Sequence, residues 1–153
     1  VGGGREIIAL DDGGFIVAGD FSSIDDTPRS AIAKFRSDGT LDTNWNISVN
    51  ASPFQIIRDG DRLFILGFFT AVNNIARRGL ASVSISTGQL EAWNPNTGGS
   101  ATYTFRGGTR LGDHLYVVGD FTEIGTSARA GLAKIHAQTG ALDNLWVPTA
   151  TGS

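Results

Sequence analysis

His114 and His136 are the only imidazoles in a chain of 153 residues, and both fall in its last third. A histidine metal centre needs three or four converging ligands, so the pair alone predicts no metal. Cysteine is absent, which removes disulfides, thiolate ligation and a cysteine nucleophile from consideration. Asp11, Asp12, Asp25, Asp26, Asp59 and Asp61 lie in turn-like sequence, where Asp serves the backbone, and they lack the regular spacing of a calcium loop. No Gly-x-Ser-x-Gly elbow, phosphate-binding glycine loop with Lys or paired acidic motif stands out. These residues point away from an enzyme and imply no cofactor.

Charged and aromatic residues recur instead at matching places. Asp20 and Asp120 each stand nine residues before an arginine, Arg29 and Arg129, a spacing that predicts an ion pair or a hydrogen-bonded turn across the intervening loop. In between, Phe68 takes the Asp position while Arg77 keeps the Arg position, so the pair is not indispensable. Trp45, Trp93 and Trp146, with Phe21, Phe69 and Phe121, would make a sugar-stacking set; at one of each per repeat they read rather as packing between repeats.

The elements that must position these residues come in three copies. Phe15-Ile16-Val17-Ala18-Gly19-Asp20-Phe21 returns as Leu63 to Phe69 and as Leu115 to Phe121, with the glycines 48 and then 52 residues apart. An arginine, a small-aliphatic-Ala core, a turn glycine (Gly39, Gly88, Gly140) and a tryptophan follow in the same order each time. A period near 50 marks a repeat architecture. Each copy reads as a four-stranded antiparallel meander. In the first, Arg5 to Leu10 and Phe15 to Ala18 form a hairpin about Asp11-Asp12-Gly13-Gly14, a third strand runs from Ser30 to Arg36, and a fourth from Leu41 to Trp45. Ser22 to Pro28, Thr70 to Ala76 and Thr122 to Ala128 are surface loops between the second and third strands. In the third copy, Gly107-Gly108-Thr109-Arg110 enlarges the hairpin and accounts for the longer spacing. The uniformly apolar second strands imply burial on both faces.

Composition agrees with short strands and many turns: there are 21 glycines, and only 18% of residues are charged. A net charge of -3, with arginines scattered rather than clustered, sets nucleic acid aside as a partner. No apolar run approaches the length that spans a bilayer. The chain has no methionine, so either a leader has been removed or this is an excerpt of a longer protein. Asn46-Ile47-Ser48 and Asn50-Ala51-Ser52 are glycosylation sequons.

Four-stranded antiparallel units of this length are propeller blades, which gives an all-β chain of one repeat domain, 1–153, with blades over 1–50, 51–100 and 101–153. Gly13 to Phe21 followed by Ala33 to Trp45 resembles the delta-60 repeat of bacterial secreted and cell-surface β-propellers. The Thr-Gly turns and the endings Trp93-Asn94-Pro95 and Trp146-Val147-Pro148 are more similar to kelch blades. The resemblance implies an extracellular or cell-surface propeller and carries no catalytic residues.

Three blades do not close a ring, so the open sheet faces need a cover, from a second copy or from further blades. The Gly-rich joins Gly2-Gly3-Gly4, Gly98-Gly99-Ser100 and Gly152-Ser153 fall at equivalent points, which suggests a cut at repeat edges or a self-assembling unit. The expected function is a non-catalytic interaction module for protein or glycan, with binding on the variable loops through Asp25, Asp26, Asn73, Asn74 and Glu123. The alternatives are part of a propeller enzyme with its site in the central channel, or a structural block of an extracellular assembly.

Overall fold

The computed structural model describes residues 3–95 and 103–148. Gly2 and the joins Gly98-Gly99-Ser100 and Gly152-Ser153 lie outside the described residues. Within them the chain is all β, with antiparallel strands and no helix.

The first repeat contains β1 (Gly4–Ala9), β2 (Phe15–Gly19), β3 (Ser23–Ile24), β4 (Thr27–Pro28) and β5 (Ile32–Phe35). The second contains β6 (Pro53–Asp59), β7 (Arg62–Gly67), β8 (Ala71–Val72), β9 (Ile75–Ala76) and β10 (Leu80–Ser84). The third contains β11 (Thr104–Leu111), β12 (His114–Asp120), β13 (Glu123–Ile124), β14 (Ser127–Ala128) and β15 (Leu132–His136). In each, the long strands form one sheet with the second strand central: β1-β2-β5, β6-β7-β10 and β11-β12-β15. The tight turns follow from local chemistry. Asp12 Oδ1 accepts the Gly14 N–H at 2.9 Å, while Gly13 takes φ +82°, which a side chain would resist.

Three expectations need correction. The fourth strand shrinks to one bridge per repeat, Phe35 with Leu41, Val83 with Leu90 and Ile135 with Leu142. The residue after each leucine is acidic, and in two repeats its carboxylate turns the chain out of the ladder: Asp42 Oδ1 accepts from Asn44 N at 3.2 Å and Asp143 Oδ1 from Leu145 N at 2.9 Å. The predicted surface loops are not irregular, because β3-β4, β8-β9 and β13-β14 are miniature hairpins. Gly107 to Arg110 lie inside β11, paired to Val118 through Leu115, and do not enlarge a turn. The four extra residues fall in the connector: Pro53 and Phe105 hold one register position opposite Gly67 and Gly119, 8 residues after Trp45 and 12 after Trp93.

Two apolar clusters join the repeats. Ile16, Ala18 and Ile32 of the first pack on Ile56, Leu63 and Ile65 of the second. Phe64, Leu66 and Leu80 of the second pack on Phe105, Leu115 and Val117 of the third. Burial on both faces of the second strand is complete from Leu63 to Gly67, whereas burial in β12 largely alternates. The apolar run is thus used on both faces only where a repeat stands on each side.

Candidate functional site

The second-to-third-strand hairpins and the connector from the first repeat leave the sheets at the same end, opposite the tight turns. The connector alternates buried and exposed residues from Trp45 to Asn50 and is laced into the second repeat's hairpin. Val49 bridges to Val72, and Asn73 N donates to Ser48 O at 2.8 Å while its Oδ1 accepts from Ser48 N at 2.8 Å. The sequon residue Asn50 uses both ends of its amide here, with Oδ1 accepting from Thr70 N at 2.9 Å and Nδ2 donating to Thr70 Oγ1 at 2.8 Å.

The five residues nominated for binding all sit on these hairpins. Asp25 and Asp26, like Asn73 and Asn74, occupy the two central turn positions with φ between +44° and +62°. Asp and Asn tolerate this left-handed backbone better than other side chains, so the backbone itself accounts for these residue types. The third hairpin has a single left-handed residue in its turn, Gly125 at φ +59°. Glu123, in β13, accepts the Tyr103 hydroxyl at 3.2 Å.

The predicted Asp20–Arg29 pairing does not form. Arg29 donates to the carbonyls of Pro28 at 2.7 Å and Asp42 at 3.4 Å, and Arg77 to Ala76 and Glu91, both at 2.9 Å. Arg129 donates to Ala128 at 2.6 Å and Asp143 at 3.1 Å. Each guanidinium therefore ties its hairpin to the segment after the bridging leucine through backbone carbonyls, which lie at fixed places whatever the loop sequence. Asp20 is instead paired with Arg5, Nε to Oδ2 at 2.9 Å, and Asp120 with Arg106 at 2.8 Å. The Ser52 hydroxyl, reinforced by Arg5, holds the Asp20 carboxyl below the usual range.

Arg5, Phe54 and Arg106 share one position, the β-bulge in the first strand of each repeat. The extra residue re-aims the side chain to the end of the second strand, where Asp20, Phe68 and Asp120 stand. In the middle repeat both partners have changed together: Phe54 and Phe68 replace the Arg and the Asp, and they are 37% and 49% exposed. The Arg5 guanidinium lies 5.6 Å from the centre of the Phe54 ring, a cation–π distance. The loop end thus presents two exposed rings between two Arg–Asp pairs. The Asp-to-Phe change at Phe68 is legible from the repeat alone, whereas its partner shows only in the parallel Arg-to-Phe change at Phe54.

Elsewhere, a cleft of about 470 Å³ opens at the tight-turn end between the first two repeats, bordered by Asp11, Lys34, Arg58 and Asp61. Its polar groups serve the fold. Lys34 Nζ donates to Ile85 O at 3.1 Å, Arg58 binds Asp11, and Asp61 accepts from the Ser84 and Ser86 hydroxyls at 2.8 and 2.9 Å. His114 and His136 are cross-strand neighbours with rings 5.4 Å apart, and no set of three or more metal-ligating side chains occurs among the described residues. Trp45 and Trp93 are buried between repeats, and Trp146 packs edge-on against Tyr116 at 5.4 Å.

Residues 11–44 and 113–145 match the family described as a domain of unknown function (DUF5122) beta-propeller. The matched stretches cover the second strand, hairpin and third strand of the first and third repeats, and they bypass the repeat that carries Phe54 and Phe68. The match supports a β-propeller repeat family and agrees with three antiparallel sheets packed face to face. No curated protein and no solved structure matches the chain.

Proposed function

We propose that the chain is a non-catalytic interaction module of a secreted or cell-surface protein, made of propeller blades of the delta-60 and kelch-like type. Its ligand, a protein or a glycan, binds at the loop end. The observation that carries this reading is the paired replacement of Arg and Asp by the exposed Phe54 and Phe68. Two of three sibling repeats fold with an ion pair at this place, so folding does not demand rings there. Exposed rings flanked by the Arg5–Asp20 and Arg106–Asp120 pairs offer a stacking surface with hydrogen-bonding groups on both sides, which suits a sugar face or an apolar side chain of a partner.

The test is a printed glycan array and a displayed peptide library, each screened with the parent chain and with the Phe54→Arg/Phe68→Asp variant. The variant carries the pair its sibling repeats use and is expected to fold. Hits on one platform that disappear with the variant support the site and identify the ligand class. Hits retained by the variant, or none on either platform, overturn it.

A further inference from the structure

At the loop end the side chains stand in two rows across the packed repeats. Arg5, Phe54 and Arg106 share the bulge of the first strand, and Asp20, Phe68 and Asp120 each follow the glycine of the second. Because β6 packs on β1 at one side and on β11 at the other, the rings of the middle repeat have a charged pair as neighbour on each flank. The two guanidinium groups and two carboxylates sum to zero charge.

The two pairs differ in what they leave unspent. Arg5 gives Nε and Nη2 to Asp20 Oδ2, and the Ser52 hydroxyl occupies Asp20 Oδ1. Arg106 likewise gives Nε, at 2.8 Å, and Nη2 to Asp120 Oδ2, but among the described residues nothing hydrogen-bonds Asp120 Oδ1 or Arg106 Nη1. Both of these side chains are 62% exposed. The third repeat therefore presents a charged acceptor and a charged donor together, on the flank of an aromatic patch. Arg5 lies over Phe54, which leaves Phe68 the more open ring.

A carboxylate oxygen only accepts and a guanidinium N–H only donates, whereas a hydroxyl does both. Two adjacent hydroxyls can thus satisfy both groups at once, one donating to Asp120 and its neighbour accepting from Arg106. Charged ligands suit the place less well: an anion on Arg106 meets the carboxylate of Asp120, and an ammonium on Asp120 meets the guanidinium. An apolar peptide side chain would use the ring and cover the donor and acceptor without pairing them. The C–H bonds along one side of a pyranose suit the negative face of an aromatic ring.

We propose that the site takes a neutral sugar, with a vicinal diol bridging Asp120 Oδ1 and Arg106 Nη1 and its C–H side stacked on Phe68. The proposal rests on the reading of the loop end as a binding surface and fixes the class of its ligand. The Arg5–Asp20 pair has the other part, since its acceptor is already spent on Ser52: it supports the Phe54 ring.

The experiment is a printed array carrying neutral, uronic-acid, sulfated and free-amine glycans beside the displayed peptide library, followed by saturation-transfer NMR titration of the methyl glycoside of the best hit's terminal sugar and of its monodeoxy forms. The parent is expected to prefer neutral glycans to every charged class, and removal of either of two adjacent hydroxyls should weaken binding about tenfold. Asp120→Ala should weaken it by a similar factor, with circular dichroism unchanged because an exposed ion pair contributes little to folding. Charged glycans held as tightly as neutral ones, deoxy sugars bound equally well, or an Asp120→Ala protein that binds like the parent would overturn the diol; the loop-end site would stand if Phe54→Arg/Phe68→Asp still abolished binding. Peptide hits alone that vanish with that double variant would likewise keep the site and overturn the sugar. Hits indifferent to the double variant, or none at all, would overturn the site and the proposal with it.

Discussion

The indole nitrogen of Trp45 donates to the carbonyl of Ser84, one repeat further on, at 3.3 Å, and the same ring lies over Gly88. Trp93 repeats the arrangement on His136 and Gly140. The tryptophan that ends one repeat is thus seated in the last turn of the next. A Cβ on Gly88 would stand 3.2 Å from Trp45 Cδ1, at φ +73°. Gly88→Ala should therefore cost about 2 kcal/mol, from left-handed backbone strain and crowding together. Urea unfolding followed by tryptophan emission checks it, and an unchanged midpoint would contradict the seating.

Ala31 holds φ +69° where the other repeats place Gly79 and Gly131, at φ +72° and +73°. The three sites differ in what lies above them. At Gly79 an added Cβ would meet the Phe105 ring at 2.7 Å, and at Gly131 only the Gly119 carbonyl at 3.0 Å. Phe105 corresponds to Pro53, a smaller neighbour, which explains how the first repeat tolerates an alanine. Gly79→Ala should cost about 2–5 kcal/mol and Gly131→Ala about 1–2 kcal/mol. Ala31→Gly should fall within about 1 kcal/mol of neutral, because strain relief offsets the lost methyl and the added chain entropy. Thermal unfolding of the three variants ranks them.

These local differences explain what the sequence made legible. The repeat and the antiparallel order of its first three strands could be read because each is carried by residue types that return at fixed spacing. The partner of Asp20 could not, since Arg5 reaches it only through the one-residue bulge in β1, and a bulge leaves no mark in a pattern of alternation. The fourth strand was overestimated because Leu41 and Trp45 suit a strand, while the Asp42 side chain between them competes for the backbone. Asp25, Asp26, Asn73 and Asn74 attracted attention as variable polar loop residues, and their shared positive φ values supply a backbone reason for them.

Arg29 and Arg129 are buried and bind carbonyls on both sides of their hairpins. A lysine carries one nitrogen where the guanidinium fork spans two acceptors. Arg129→Lys should therefore lose one of the two carbonyl contacts, at a cost of about 1.5–3 kcal/mol. Amide exchange should rise first at Glu123–Ala128, the hairpin that Arg129 fastens. Unaltered exchange there would mean that the hairpin holds itself.

Glu6 and Asp61 respond to pH in opposite senses. Burial pushes the Glu6 carboxyl above its ordinary 4.5, against the opposing pull of the Ile56 N–H. A raised carboxyl pKa means that the folded state binds the proton more tightly, so stability is lost as pH rises through the folded value. For Asp61 burial also pushes upward, but the Ser84 and Ser86 hydroxyls and the Ser86 N–H outweigh it and hold the group below 3.8. Its contribution is present above the unfolded value and disappears as pH falls. Glu6→Gln installs the acceptor that Gln55 already provides at the next junction and removes the half-buried charge. The variant should match the parent below the ordinary carboxyl value and exceed it by a margin that grows as pH rises through the raised Glu6 value and is constant above it, while the acid limb below about pH 4 stays in place because it belongs to Asp61 and the other low-pKa carboxylates. Unfolding free energies at pH 3, 4, 5.5 and 7 decide it: a constant gap between the two proteins would show that the Glu6 carboxylate is solvated like any surface acid.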